Sequence, residues 1–418
     1  MKIGIDPVIA GRINTAWSRL SSDQQGRMAG AILNAHQQAV LVSQTGKAPA
    51  APAAPHHLML VHSILTNDSD GVLNHLEAGV VLDVGSDGAI WGTGKYQQLD
   101  PGWAESFAVF LEAAILGTNH PFVETPQVIP IPDSVRIALA GDWGTGDWRT
   151  PANPAPSTNV GRHMSSLHPD LTIHLGDVYY SGSSDQEHYE LVDIWPKGTV
   201  GSLALNSNHE MYSGAKPYFQ AIANPPFEIQ KGCSFFALEN TNWIVVGLDS
   251  AYYSDAYSIY LDGALFPAHM PNVQNAFLLQ QGANAAARGK RVIVLTHHNG
   301  LDETGTTTNA LYDQVMNAFP DGAGPAYWYW GHLHVGVVYR NRDPQGHNVA
   351  CRCCGHGALP WGQATELDNP NVLWYEKRSA NDPDVPQRVL NGFAMLSLDG
   401  PDINEVFYDE DGGLAGPS

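Results

Sequence analysis

Apolar residues recur at spacings of three and four through the first 45 positions, at Ile9, Ile13, Trp17 and Leu20 and then at Met28, Ile32 and Val40. That period predicts two amphipathic helices, separated at Ser21-Ser22-Asp23, with Ser21 or Ser22 as N-cap of the second. The Ala/Pro stretch at 48–55 predicts a semi-rigid extended linker. An apolar run at 58–65, a short segment at 79–91 turning at Ser86-Asp87-Gly88, and a helix over 103–116 come next. After a Pro-rich bridge at 121–132 the rhythm changes. Near-continuous apolar runs of four or five residues end in polar ones: Ile137 to Ala140 at Asp142, Leu171 to Leu175 at Asp177, Leu203 to Leu205 near Asn208, Val292 to Leu295 at His297, and Tyr327 to Trp330 at His332. Such runs suit strands covered on both faces in a layered α/β domain. Helical spacing at Val160, Met164 and Leu167 and at 277–288 falls between them, and 393–398 with 403–408 predicts a closing hairpin.

The expected division is a mostly helical N-terminal accessory region over 1–120, a catalytic domain over 134–410 and a tail over 411–418. Residues 1–116 carry no constellation with chemistry, so they read as a scaffold packed on the catalytic domain, or as a module recognising a partner or substrate. The formal charge of −21, with only 21 Lys and Arg, argues against a nucleic-acid partner, since duplex binding needs clustered cations. A small phosphorylated substrate stays allowed, because bound dications invert the local potential in one cleft. No basic start followed by an apolar run opens the chain, and no stretch approaches 18 apolar residues, so a cytoplasmic protein with no membrane span is expected. The four cysteines, Cys233, Cys351, Cys353 and Cys354, are too few and too bunched for a disulfide framework. Their spacing does not suit a structural zinc site either, which leaves buried or rim thiols.

Five segments at strand ends concentrate the chemistry: Gly141-Asp142-Trp143-Gly144, Gly176-Asp177-Val178-Tyr179-Tyr180, Asn208-His209-Glu210, His297-His298 and Gly331-His332-Leu333-His334. Carboxylates, an amide, imidazoles and a phenol form an inventory for two adjacent metal ions. Such a pair needs a ligand that both can share, and Asp142 or Asp177 suits because each carboxylate oxygen can bind one cation. His332 and His334 would point opposite ways on a straight strand, but a tight loop starting at Gly331 lets both turn toward the metals. Tyr179 and Tyr180 likewise face opposite sides of an extended chain, so only one reaches the site.

The order GDxG, GDxxY, NHE, HH, GHxH resembles the calcineurin-like metallophosphoesterases, and among them the purple acid phosphatases most. The resemblance covers roughly residues 134–410 and implies a layered α/β/β/α sandwich. It implies that Asp142, Asp177, Tyr180 and His334 bind one metal, and that Asp177, Asn208, His297 and His332 bind the other. Gly144 stands where most of the superfamily has a histidine ligand, and a tyrosine three residues after the second Asp, here Tyr180, replaces it in the purple acid phosphatases. Tyrosinate favours Fe(III) at its site, with Fe, Zn or Mn at the other. Ser207 departs from the family's Gly before Asn-His, and Asn299 from its proline after the fourth motif; neither change removes a ligand.

The resemblance further implies a hydrolase of phosphate monoesters, in which a hydroxide bridging the two metals attacks phosphorus. Catalytic roles are then expected for Asp177, for His209 as the group assisting the leaving oxygen, oriented by Glu210, and for His298 as a phosphate contact or a structural histidine beside the site. Arg149 is a candidate phosphate clamp. The tyrosine-rich stretch 251–260 is a lid, or else packs against the N-terminal region. The alternatives are a phosphodiesterase acting on nucleotides or lipid head groups, and a catalytically silent binding or regulatory protein on the same fold.

Overall fold

The apolar runs form strands covered on both sides, in a computed structural model that describes residues 3–50, 52–67, 76–267, 270–320, 323–341 and 343–417. Ala51 of the linker and Ser418 of the tail lie outside the described residues. Two helices, Pro7–Ser18 and Ser22–Thr45, open the chain, and Ser21 caps the second in a reciprocal capping box with Gln24. The apolar run at 58–65 becomes a 3₁₀ turn, His56–Leu58, and a short helix, Val61–Thr66. The segment around Ser86 to Gly88 is the turn of a hairpin, β1 (Val81–Val84) with β2 (Ile90–Gly92). The helix Trp103–Phe110 runs on into a π-helical turn, Leu111–Ile115.

Two sheets lie between helical layers. One places β16 (Leu414–Ala415), β15 (Asp402–Asp409), β14 (Gly392–Asp399), β4 (Ser134–Ala140), β5 (Leu171–His174) and β6 (Gly201–Ala204) side by side. The other has the order β13 (Val372–Tyr375), β11 (Gly336–Tyr339), β12 (Ala350–Cys354), β10 (Tyr327–Trp330), β9 (Arg291–Leu295), β8 (Trp243–Gly247), β7 (Phe236–Glu239) and β3 (Gln127–Pro130). β3 lies inside the Pro-rich bridge, where proline masks the strand pattern; Pro130 is tolerated because β3 is an edge strand.

Alternate side chains of each strand point to opposite faces, so every strand serves two cores. Ile137, Leu139, Ile173 and Leu203 meet Val245, Ile293, Leu295 and Tyr329 between the sheets. The outer face of the eight-stranded sheet packs Val246, Val294 and Trp330 on Phe277, Leu278, Leu311 and Val315 from the helices Val273–Arg288 and Ala310–Met316. On the outer face of the six-stranded sheet, Ala138, Ala140 and Ala204 belong to one hydrophobic cluster with Ile13, Met28, Ile32 and Phe107 of the N-terminal helices. The tyrosine-rich stretch takes part in the same contact: Tyr252 donates to the His120 carbonyl at 2.6 Å, Arg27 lies 3.6 Å above the Tyr257 ring, and Tyr260 meets Phe110 edge-on. All four cysteines are buried free thiols, and burial pushes Cys351, Cys353 and Cys354 well above the usual thiol range. Among the described residues no helix is long and apolar enough to cross a membrane.

Arg149 is not a phosphate clamp. Its guanidinium is buried and donates to Asp382 at 2.6 Å, and Asp382 also accepts from Arg388 at 2.8 Å, which in turn holds Glu410 at 2.7 Å. This network ties the loop after β4 to the C-terminal hairpin. Burial opposes ionisation of Asp382, but the hydrogen bonds from Arg149 and Arg388 prevail and hold its carboxyl below the ordinary carboxylate range. A depressed folded-state pKa gives stability that is complete above the unfolded value, near pH 4, and is lost as pH falls through the folded value. Asp382→Asn, which leaves two buried guanidinium groups short of a counter-charge, should therefore lower stability to urea at pH 7 by roughly 3 kcal/mol. The gap between the two proteins should close as unfolding is repeated at successively lower pH below 4.

Candidate metal centre

Strands β4, β5 and β6 run parallel, as do β9 and β10, so their C-terminal ends share one edge of the sandwich, where open α/β sheets place their sites. The chain must reverse there to aim its polar groups inward. Asp142, Asp177, His332 and His334 all adopt left-handed backbone conformations, with φ of 57°, 78°, 69° and 56°. Residues with a Cβ rarely do so, and such strain gathers at functional sites. Gly331 allows the closest approach: a Cβ there would lie 2.6 Å from Asp142 Oδ2. The Asp142 carboxylate uses that opening to accept the His332 backbone N–H at 2.8 Å.

The buried side chains form two donor sets. In the first, the Tyr179 hydroxyl lies 2.8 Å from Asp177 Oδ2, 3.2 Å from Asp142 Oδ1 and 3.3 Å from His334 Nε2, and His334 Nε2 lies 3.4 Å from Asp142 Oδ1. In the second, His297 Nε2 lies 2.9 Å from Asn208 Oδ1, 3.2 Å from His332 Nδ1 and 3.3 Å from Asp177 Oδ1. Asp177 thus gives one oxygen to each set.

The protons show what the second set fits. His297 Nδ1 lies 2.8 Å from the Leu175 carbonyl, which can only accept, so that nitrogen carries the hydrogen. Burial lowers His297 below the usual imidazole range, so the ring is neutral and Nε2 is a bare lone pair. Asn208 donates its amide nitrogen to the Tyr212 hydroxyl at 3.1 Å, which turns its carbonyl oxygen toward His297. Two lone pairs therefore face each other at 2.9 Å with no proton between them, an arrangement that a cation satisfies. Burial likewise brings His334 to about 3, which keeps it in the neutral, metal-binding form. Asp142 is raised well above the carboxylate range by burial and by the charge of Asp177. Burial also works against the Asp177 charge, but His209 beside it and the hydrogen bond with Asp142 overcome it and hold Asp177 well below that range. Buried carboxylates and imidazoles whose donor atoms lie about 3 Å apart fit two metal ions better than they fit one another.

Tyr180 does not join them. Its hydroxyl donates to Asp100 at 2.6 Å, and its ring is wedged between Tyr96 and Trp103 at centroid distances of 4.8 and 4.6 Å. The neighbouring Tyr179 faces inward instead. The motif spacing singles out Tyr180 because nothing local reveals its partner, which lies in the N-terminal region. Gly144 explains why a phenol fills this corner. A Cβ at Gly144 would sit 2.7 Å from the Asp177 carbonyl oxygen, so a histidine there has no room.

His209 stands beside the shared carboxylate, its Nε2 at 3.9 Å from Asp177 Oδ2, and its Nδ1 donates to the Tyr180 carbonyl at 2.7 Å. Glu210 does not orient it, since consecutive residues on a helix do not face one another. Glu210 instead bonds the Ser207 hydroxyl and accepts the Asp177 backbone N–H at 3.4 Å. Burial and the Asp177 charge raise Glu210 to about 8. Ser207 gives its proton to Asp177 Oδ1 at 2.5 Å and accepts the His209 N–H at 3.0 Å, capping the helix Asn208–Tyr212. The serine thus adds a support to the shared carboxylate, and its extended backbone, φ −137°, needs no glycine. His298 is buried with both ring nitrogens engaged, Nδ1 by the Ser250 hydroxyl at 2.9 Å and Nε2 by the Tyr260 carbonyl at 2.8 Å. It packs behind His332 and supports it, and it does not line the cavity in front of the donor sets.

That cavity measures about 220 Å³ and exposes Asp177, Asn208, His209, His332 and His334. Its opposite wall comes from segments remote in sequence: Ala53 to His57, Asp87 and Gln98 from the N-terminal region, with Leu261, Glu303 and Trp361. No periodicity marks these residues. The one available signal is the pair His56-His57 directly after the Ala/Pro run.

Two solved structures resemble the chain in part. The GAP50 anchor of the inner membrane complex of Plasmodium shares 11% identity at a TM-score of 0.46, over 66% of this chain and 85% of that one. A dimetal phosphatase from Danio rerio shares 13% identity at a TM-score of 0.42, over 66% of this chain and 95% of that one. No curated protein matches the sequence. Residues 135–336, which contain both donor sets, match the family described as calcineurin-like phosphoesterase. That match spans the residues that build the centre, so this part of the chain is similar to the calcineurin-like phosphoesterases.

Proposed function

We propose that the protein hydrolyses small phosphate monoesters at a dinuclear centre, and the observation that carries this reading is Asp177, one oxygen in each donor set. Asp142, Asp177, Tyr179 and His334 would hold one ion, and Asp177, Asn208, His297 and His332 the other. When bound, two such cations lower the pKa of water to supply a nucleophile and offset charge on the phosphoryl oxygens. The cavity of about 220 Å³ supports a small ester over a bulky diester.

His209 is the proton donor of this reading. With Nδ1–H committed to the Tyr180 carbonyl, a neutral ring offers only a lone pair at Nε2, so the ring donates from Nε2 only as imidazolium. The Asp177 carboxylate lies 3.9 Å from that nitrogen. His298, held by Ser250 and Tyr260, acts by fixing the wall behind His332. Tyr179, moved into the role that motif spacing gives Tyr180, would bind as tyrosinate and favour Fe(III) at its site, with Fe, Zn or Mn at the other.

Metal-analysed protein should cleave p-nitrophenyl phosphate in preference to its bis-ester, and Asp177→Asn should abolish turnover and reduce bound metal at both sites; full activity in Asp177→Asn would refute the mechanism. His209→Asn should slow alkyl phosphates by about 10²–10⁴-fold and p-nitrophenyl phosphate much less, since nitrophenolate leaves without a proton. Iron-loaded protein should show a visible tyrosinate band that Tyr179→Phe removes and Tyr180→Phe retains; the opposite result would restore Tyr180 as the ligand.

A further inference from the structure

The wall facing the donor sets contains two imidazoles, His56 and His57, whose place the phosphoesterase chemistry leaves unexplained. His56 comes directly after the Ala/Pro stretch, and its ring lies 4.0 Å from Trp103, 5.9 Å from His209 and 6.1 Å from His334, measured between centroids. It lines the same cavity as His209. The segment that carries it is pinned on both sides. The Ala53 N–H donates to Asp87 at 2.9 Å, the Ala54 N–H donates to Gln38 at 2.8 Å, and Trp103, beneath the ring, is fixed by its indole N–H on the Gln97 carbonyl at 2.8 Å. Yet His56 Nε2 is buried and has no partner among the described residues. An unsatisfied buried polar atom is destabilising, and a rigidly held residue recovers that cost when a ligand supplies the partner.

The cavity also lacks the side chains that ordinarily grip a phosphate. Among the described residues no lysine or arginine lines it, and its lining includes Asp87 and Glu303. The side-chain N–H groups that line it belong to imidazoles, the Asn208 and Gln98 amides and the Trp361 indole, and Asn208 and Trp361 already donate to Tyr212 and to the Asp87 carbonyl. His209 stands on the catalytic side of the cavity, and His56 stacks nearly parallel to it, at an interplanar angle of 21°.

We propose that His56 is a substrate-contacting residue, hydrogen-bonding a phosphoryl oxygen of the ester, so that the N-terminal region completes the active site instead of merely supporting it. This rests on the phosphoesterase reading of the centre, and it assigns the recognition of the phosphate to a residue outside the five strand-end segments.

Binding of inorganic phosphate to the full-length, metal-loaded protein tests it, by calorimetry and as competitive inhibition of p-nitrophenyl phosphate hydrolysis. His56→Phe keeps a ring against Trp103 and removes the N–H; it should weaken phosphate binding about tenfold, with a matching fall in kcat/KM and unchanged metal content. His56→Gln keeps a donor and should stay within about threefold of wild type. The proposal fails if His56→Phe binds phosphate as wild type does, if His56→Gln loses as much affinity as His56→Phe, or if the loss tracks a loss of metal. Wild-type protein that binds phosphate but hydrolyses no ester would remove the hydrolase reading and leave His56 to be judged by the phosphate measurement alone. Wild-type protein that binds no phosphate would overturn both.

Discussion

The structure turns on one carboxylate shared between two sets of lone pairs. Asp177 sits at the end of a buried strand with its oxygens facing opposite ways, and several of the groups around it are held by a second contact that fixes their direction. The Leu175 carbonyl orients His297, Tyr212 orients the Asn208 amide, the His332 N–H holds Asp142, and Ser207 supports Asp177 itself. Such outer contacts set the tautomer and direction of a ligand and so tune what it binds. Two sheets are needed to bring these groups together, because β4, β5 and β6 carry one part and β9 and β10 the other.

Much of this was legible in the sequence because the residues concerned sit where a pattern changes. An apolar run that stops at Asp142, Asp177, Asn208, His297 or His332 marks both a strand and its end, and the parallel order of the strands gathers the ends on one edge. The capping box at Ser21 and the hairpin turn at Asp399-Gly400 were equally local. The features that escaped are those that depend on a distant partner. Tyr180 matches the motif, yet Asp100 captures its hydroxyl, and no window of sequence contains both residues. Arg149 looked available until Asp382 took it, and Glu210 looked like a partner of His209 until the helix turned them apart. Strand β3 was hidden by the prolines that an edge strand tolerates.

Charge acts here on two scales. The chain as a whole is strongly anionic, and among the residues lining the cavity there is neither lysine nor arginine. A phosphate ester therefore meets attraction only within a few ångströms of the donor sets, where cations reverse the local sign. A net negative charge does not draw an anionic substrate from a distance, which leaves recognition to short, directed contacts inside the cavity.

The N-terminal region shares its hydrophobic cluster with the six-stranded sheet, and the cavity wall it forms faces residues that come near the end of the catalytic motifs. In time, that arrangement is a sequence of waiting. A chain growing from its N-terminus makes the wall first, Asp142 and Asp177 next, and His332 and His334 last. Neither donor set is complete until those two histidines are present, and contacts this far apart along the chain form late because loop closure must precede them. The emerging polypeptide thus carries acidic and imidazole groups for most of its synthesis without a finished place to trap a metal.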